Sequence, residues 1–128
     1  MNYHFTTTLD LPFDQAIEKV TAALKDKGFG VLTTIDVKKA FKEKIDVDFR
    51  PYVILGACSP RYAHQAISAE DKIGLMMPCN VVVQDKDGTV EVSAIDPMAS
   101  MQAVDNPALA EVADVVQGLL REVIASLS

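Results

Sequence analysis

Pro51-Tyr52-Val53-Ile54-Leu55-Gly56-Ala57-Cys58-Ser59-Pro60 is an almost unbroken apolar run that ends on a helix-start signal. Seven such residues before a turn predict a strand, and the lack of polar alternation predicts one buried on both faces. Ser59 then reads as an N-cap with Pro60 at the first helical position, where its missing N–H is not needed. The run therefore hands a central strand directly to a helix, and a cysteine sits at the junction.

The flanking sequence repeats this alternation. Upstream, Gly30 to Ile35 is a strand, and Asp36 caps a short helix with Val37, Ala40 and Phe41 on its inner side. The stretch from Lys44 to Arg50 is irregular. Further back, Phe13, Ala16, Ile17, Val20 and Leu24 fall on one helical stripe. Gly28 closes that helix, with Lys25 and Lys27 in the last turn where the dipole favours cations. Asn2 to Thr8, rich in β-branched and aromatic residues, is a first strand.

Downstream of Pro60, Ala63, Ile67 and Tyr62 form the inner face of the third helix. Pro78–Gln84 and Thr89–Ile95 make a hairpin around Asp85-Lys86-Asp87-Gly88, with Gly88 at a left-handed position. Asn106 caps a last helix that contains Pro107 and presents Leu109, Val112, Val116, Leu119, Val123 and Leu127. Val115, Leu120 and Ile124 broaden that face, which suits deep packing or a subunit contact. The order β-α-β-α-β-α-β-β-α predicts an α+β fold, with a mixed sheet of about five strands and helices packed on it. Residues 1–128 form a single domain, without internal repeat or linker.

The chemistry concentrates at the strand–helix junction. Cys58 at a strand end and before a helix start is placed where free amides favour a thiolate or an anionic ligand. Cys79, in Pro78-Cys79-Asn80, opens the next long strand and meets Cys58 if the two strands are neighbours. His64, six residues after Cys58, is expected near the same end. Cys58, Ser59, Cys79, Asn80 and His64 are thus the candidate ligand-binding residues. Two Cys and one His would also leave an open position on a soft metal. The competing reading makes both cysteines core residues. Met76, Met77, Met98 and Met101 beside prolines are core filling, a pocket wall or a subunit contact. Glu43, Lys44 and Asp96 read as surface or capping groups.

Other motifs resolve to structure. Gly56-Ala57-Cys58-Ser59-Pro60 lacks the glycine of a nucleophile elbow after the serine, and His4 and His64 complete no triad. Gly28-Phe29-Gly30 follows a helix instead of opening one, which excludes a phosphate loop. Asp85-Lys86-Asp87-Gly88 is a turn without the glutamate of a calcium loop. No catalytic group and no cofactor is assigned.

Of the chain's 128 residues, 49% are hydrophobic and 23% charged, ordinary globular values that exclude disorder. Net charge is −6, with the acidic excess in the second half, where three Lys/Arg face ten Asp/Glu. That balance, and the dilution of Lys38, Lys39, Lys42 and Lys44 by neighbouring acids, exclude nucleic acid as the expected partner. No stretch approaches the roughly 20 apolar residues of a membrane span, and the N-terminus lacks signal-peptide features. The cytoplasm is the expected compartment, where both cysteines stay thiols.

These same segments resemble the bacterial and archaeal domain-of-unknown-function family 302. The resemblance runs from Gly28-Phe29-Gly30-Val31-Leu32 and Ile35-Asp36-Val37 through Lys44 and Tyr52–Pro60 to Ala63-His64. It continues at Gly74-Leu75, Pro78-Cys79-Asn80-Val81-Val82-Val83 and Ala94-Ile95-Asp96-Pro97. Ser59 stands where the family usually has Asn, and either residue caps a helix. The resemblance implies a compact α+β domain that forms homodimers, and supplies no reaction. The expected protein is a small homodimer that binds an anionic or electrophilic ligand, or handles sulfur, at Cys58. The alternatives are an interaction module without chemistry and a Cys58/Cys79/His64 metal protein.

Overall fold

The computed structural model describes residues 2–128. Five strands, β1 (His4–Leu9), β2 (Gly30–Asp36), β3 (Tyr52–Cys58), β4 (Cys79–Lys86) and β5 (Thr89–Ile95), form one sheet in the order β1-β5-β4-β3-β2. The helices are α1 (Phe13–Asp26), α2 (Val37–Ile45), α3 (Pro60–Ala69), a single turn α4 (Pro97–Ser100) and α5 (Pro107–Leu127). A 3₁₀ segment, Asp71–Met76, links α3 to β4. The α+β class and the five strands match the sequence reading. That 3₁₀ segment and α4 were not foreseen.

Every neighbouring pair is antiparallel, so the sheet is not mixed. The reason is the path of the connections. α2 leaves β2 and returns to β3 at the same sheet end, as does α3 with its 3₁₀ segment between β3 and β4. A connection that returns to its starting end makes an antiparallel neighbour, helix or not. Only α1 crosses the sheet, carrying the chain from the β1 edge to the β2 edge.

α1 and α5 lie together on one face. Alternation along the strands turns Val53, Leu55 and Ala57 of β3, Val81 and Val83 of β4, and Val90, Val92 and Ala94 of β5 towards them, all buried. Val20 and Leu24 of α1 and Leu120 and Val123 of α5 complete this core. Burying a side chain of this size contributes about 1.5–3 kcal/mol. The predicted α1 stripe is therefore its buried face. On α5 the expected face is buried at Leu109, Val116, Leu120, Val123, Ile124 and Leu127, while Ala113 joins it and Val115 is exposed.

The opposite face is open. β3 was expected to be covered on both sides, yet Tyr52 and Ile54 are only half-buried there. β2 carries a register shift between Val31 and Thr33 that leaves Leu32 unpaired and reverses which side chains point inward. Val31 pairs with Ala57 on the helix side, while Thr33 pairs with Gly56 and Ile35 with Ile54 on the open side. The bulge is why Leu32 and Ile35 are 66% and 50% exposed.

Candidate functional site

Five elements converge where β3 ends and β4 begins. Ala57 pairs with Cys79 across the β3–β4 ladder, so Cys79 shares the helix-covered face, and Cys58 follows Ala57 at the last position of β3. Ser59 caps α3 by its backbone conformation, without a side-chain hydrogen bond, and Pro60 takes the first helical position. Met77-Pro78 enters β4 alongside, and Gly56 makes room for it. A Cβ on Gly56 would meet Thr33 Oγ1 and would lie 2.8 Å from Pro78 Cγ.

A cavity of about 40 Å³ opens among these elements. Its floor is Ala57 and Phe29, one wall is Tyr62, Ala63 and Ala66 of α3, and the other is Val112, Ala113 and Val116 of α5. Cys58, Ser59, Met77, Cys79 and Met101 line the rest, with Pro78 and Pro97. The cavity lies between two apolar clusters. One is the sheet core with Phe29, Ala57 and Val116, and the other is a smaller group of Ala66, Ile73 and Leu109 with Met77 and Met101 packed on it. A larger depression between α1 and β2 is lined by Thr21, Lys25, Gly28 and their neighbours, with no Cys, His, Asp or Glu in it.

Both cysteines are free and partly buried. Burial pushes the Cys58 thiol up. Cys79 is pushed up to about 11, first by burial and then by the proximity of Cys58. Loss of water disfavours the charged sulfur and so opposes the thiolate that the start of α3 was expected to favour. At neutral pH the cavity holds two thiols.

Three of the five expected site residues, Cys58, Ser59 and Cys79, line this cavity. His64 and Asn80 do not. His64 is exposed, about 100° round α3 from Ala63. Asn80 pairs with Gly56 on the open face and is exposed there, because alternation turns it away from its neighbour Cys79. The Cys58/Cys79/His64 metal set therefore does not form, and among the described residues no three His, Cys, Asp or Glu cluster. Ile67, expected to pack inward, is 45% exposed, and Ala66 takes the inner position. Asp96 is a capping group: it accepts from the Met98 amide at 3.0 Å and from the Gln117 side chain at 3.0 Å. Sequence periodicity pointed to Val112 and Val116 as inward-facing, but nothing in it signalled that they border a cavity, or that Met77 and Met101 join them.

Fold and site together define a small α+β domain, one antiparallel sheet with helices on one face and a sulfur-lined cavity at one end. The chain belongs to the family described as Domain of unknown function DUF302, whose model matches residues 5–127. It is similar in structure to an uncharacterized conserved DUF302 protein from Bacillus stearothermophilus. That similarity has a TM-score of 0.91 at 29% identity and covers 98% of each chain. No curated protein matches it. No helix among the described residues is long and apolar enough to cross a membrane.

Proposed function

We propose that this protein binds a small uncharged, soft or electrophilic molecule in the cavity beside Cys58 and Cys79. The observation that carries the reading is a partly accessible thiol at the wall of an otherwise apolar cavity. No Lys, Arg or His lines it, so an anion would surrender its hydration for little return. This narrows the ligand class that the helix start suggested. A cavity of about 40 Å³ exceeds the ~10–15 Å³ that one water requires, yet is far below the roughly 300–1,000 Å³ of drug-sized sites. The ligand is accordingly a molecule of a few heavy atoms.

In the covalent version, Cys58 yields its proton to solvent, its sulfur bonds to the electrophilic carbon, and the leaving group departs with the bonding pair. Alkylation of the reduced Cys79→Ala protein by iodoacetamide and by iodoacetate tests this. The uncharged reagent should be preferred at Cys58 by a larger factor than free glutathione shows, and Ala63→Leu should slow it by filling the cavity. A preference equal to that of glutathione, unaffected by Ala63→Leu, would overturn the reading in favour of a module without chemistry.

The reading includes a reducing compartment such as the cytoplasm, which keeps both thiols free, and a homodimer. Support for the homodimer is the edge strand β2, which has no neighbour on one side and exposes Leu32 and Ile35. A second copy meeting it about a two-fold axis would cover both residues in each chain. Light scattering should give a two-chain mass that falls to one chain in Ile35→Glu. A one-chain mass for the unaltered protein at tens of micromolar would contradict the assembly.

A further inference from the structure

Four of the chain's seven sulfur-bearing residues, Cys58, Cys79, Met77 and Met101, line the one small cavity between the two apolar clusters. Sulfur is a soft donor, and thiolate with thioether selects soft ions over hard ones. The other lining side chains offer no carboxylate and no imidazole. A zinc-type shell of nitrogen and thiolate ligands lacks its nitrogen donors here.

We propose that this cavity is a binding site for a soft monovalent cation of the copper(I) class, held by the sulfurs of Cys58 and Cys79, with the thioethers of Met77 and Met101 as further donors. The proposal rests on the cavity being a ligand site, and it assigns that site a soft cation, whose charge the thiolates offset, beside the uncharged molecules of the reading above. Binding forms two sulfur–metal bonds and releases two thiol protons to solvent, and no atom changes oxidation state. The resulting group carries one net negative charge. The ten-residue helix α3 starts beside it at Pro60, and its first-turn amides favour that charge. Met101 also borders a second depression, lined by Met98, Val104 and Leu109.

The test is an anaerobic titration of the reduced full-length protein against copper(I) held by a chromogenic chelator, followed by the chelator's colour. One equivalent of copper(I) should leave the chelator. Cys58→Ser and Cys79→Ser should each return it, and the Met77→Leu/Met101→Leu double variant should weaken binding by about 10-fold. Zinc offered against its own indicator should stay with the indicator. Backbone amide spectra establish that each variant is folded, and the methionine variants keep the test decisive if a cysteine variant is not. No copper withdrawn, or as much withdrawn by the Cys58→Ser/Cys79→Ser double variant as by the unaltered chain, would overturn the inference. If copper is refused while Cys58 still prefers iodoacetamide, the ligand site stands and the metal assignment falls. If both fail, the site falls with it.

Discussion

The centre of the sheet and its cavity end are built from the same kinds of side chain but are packed differently. At the centre, Val83 and Val92 of the sheet and Leu120 of α5 pack without exposure in one cluster. At the end, small residues of α3 and α5 (Ala63, Ala66 and Ala113) face one another across space that no larger side chain fills. The lesson is that apolar character sets which face is buried, while side-chain size sets whether that face closes. The centre holds the fold together, and the end keeps room beside two thiols.

Perturbing the centre should produce the largest effect. Leu120→Ala removes a fully buried side chain between α5 and the sheet, and should lower unfolding free energy by about 3–4 kcal/mol in urea melts. A loss below about 1 kcal/mol would break the contrast between the two regions. Next comes pH, acting at the cavity end. Below pH 9 both folded and unfolded chains keep the Cys79 proton. Above it the unfolded chain loses that proton first, because the folded thiol holds it to about 11. Stability should therefore fall as pH rises from 9 to 11, by about 2 kcal/mol, since the full ~1.4 kcal/mol per pK unit is lost only above 11, and Cys79→Ala should flatten that slope.

Gly56→Ala should follow, at about 2 kcal/mol, since its Cβ would crowd Thr33 and Pro78 and strain the entry to β4. Denaturant midpoints would measure this, and an unchanged midpoint would mean that Pro78 shifts freely. Smallest is Ile35→Thr on the open face, expected within about 0.5 kcal/mol when measured on a dilute, single-chain sample. A larger loss there would show that the open face contributes to the fold of one chain.

Local patterns were much the more legible part of the molecule. The stripe from Phe13 to Leu24, the Asp87-Gly88 turn and the passage from Cys58 through Ser59 to Pro60 are local patterns, and local patterns carry their geometry with them. Both turn residues have positive φ, as that short hairpin requires. The register shift at Leu32 was not legible, because a bulge changes face without changing composition. His64 and Asn80 were misplaced for a related reason. Proximity in sequence to Cys58 and Cys79 is not proximity in space when a helix turns by about 100° per residue and a strand alternates. Met77 and Met101 join the cysteines only through the packing of α3 and α4 against α5, which no single segment encodes.

The most direct test of the cavity is its occupancy by an inert apolar atom. Amide spectra of the ¹⁵N-labelled protein recorded under xenon pressure report it, since dry apolar cavities bind xenon. Saturable shifts should concentrate at Ala57, Ala63, Ala66 and Val116, vanish in Ala63→Leu, and be absent from Val83 and Val92. Shifts spread evenly over the sheet, or none at the cavity residues, would contradict the claim that this end of the molecule holds a ligand site.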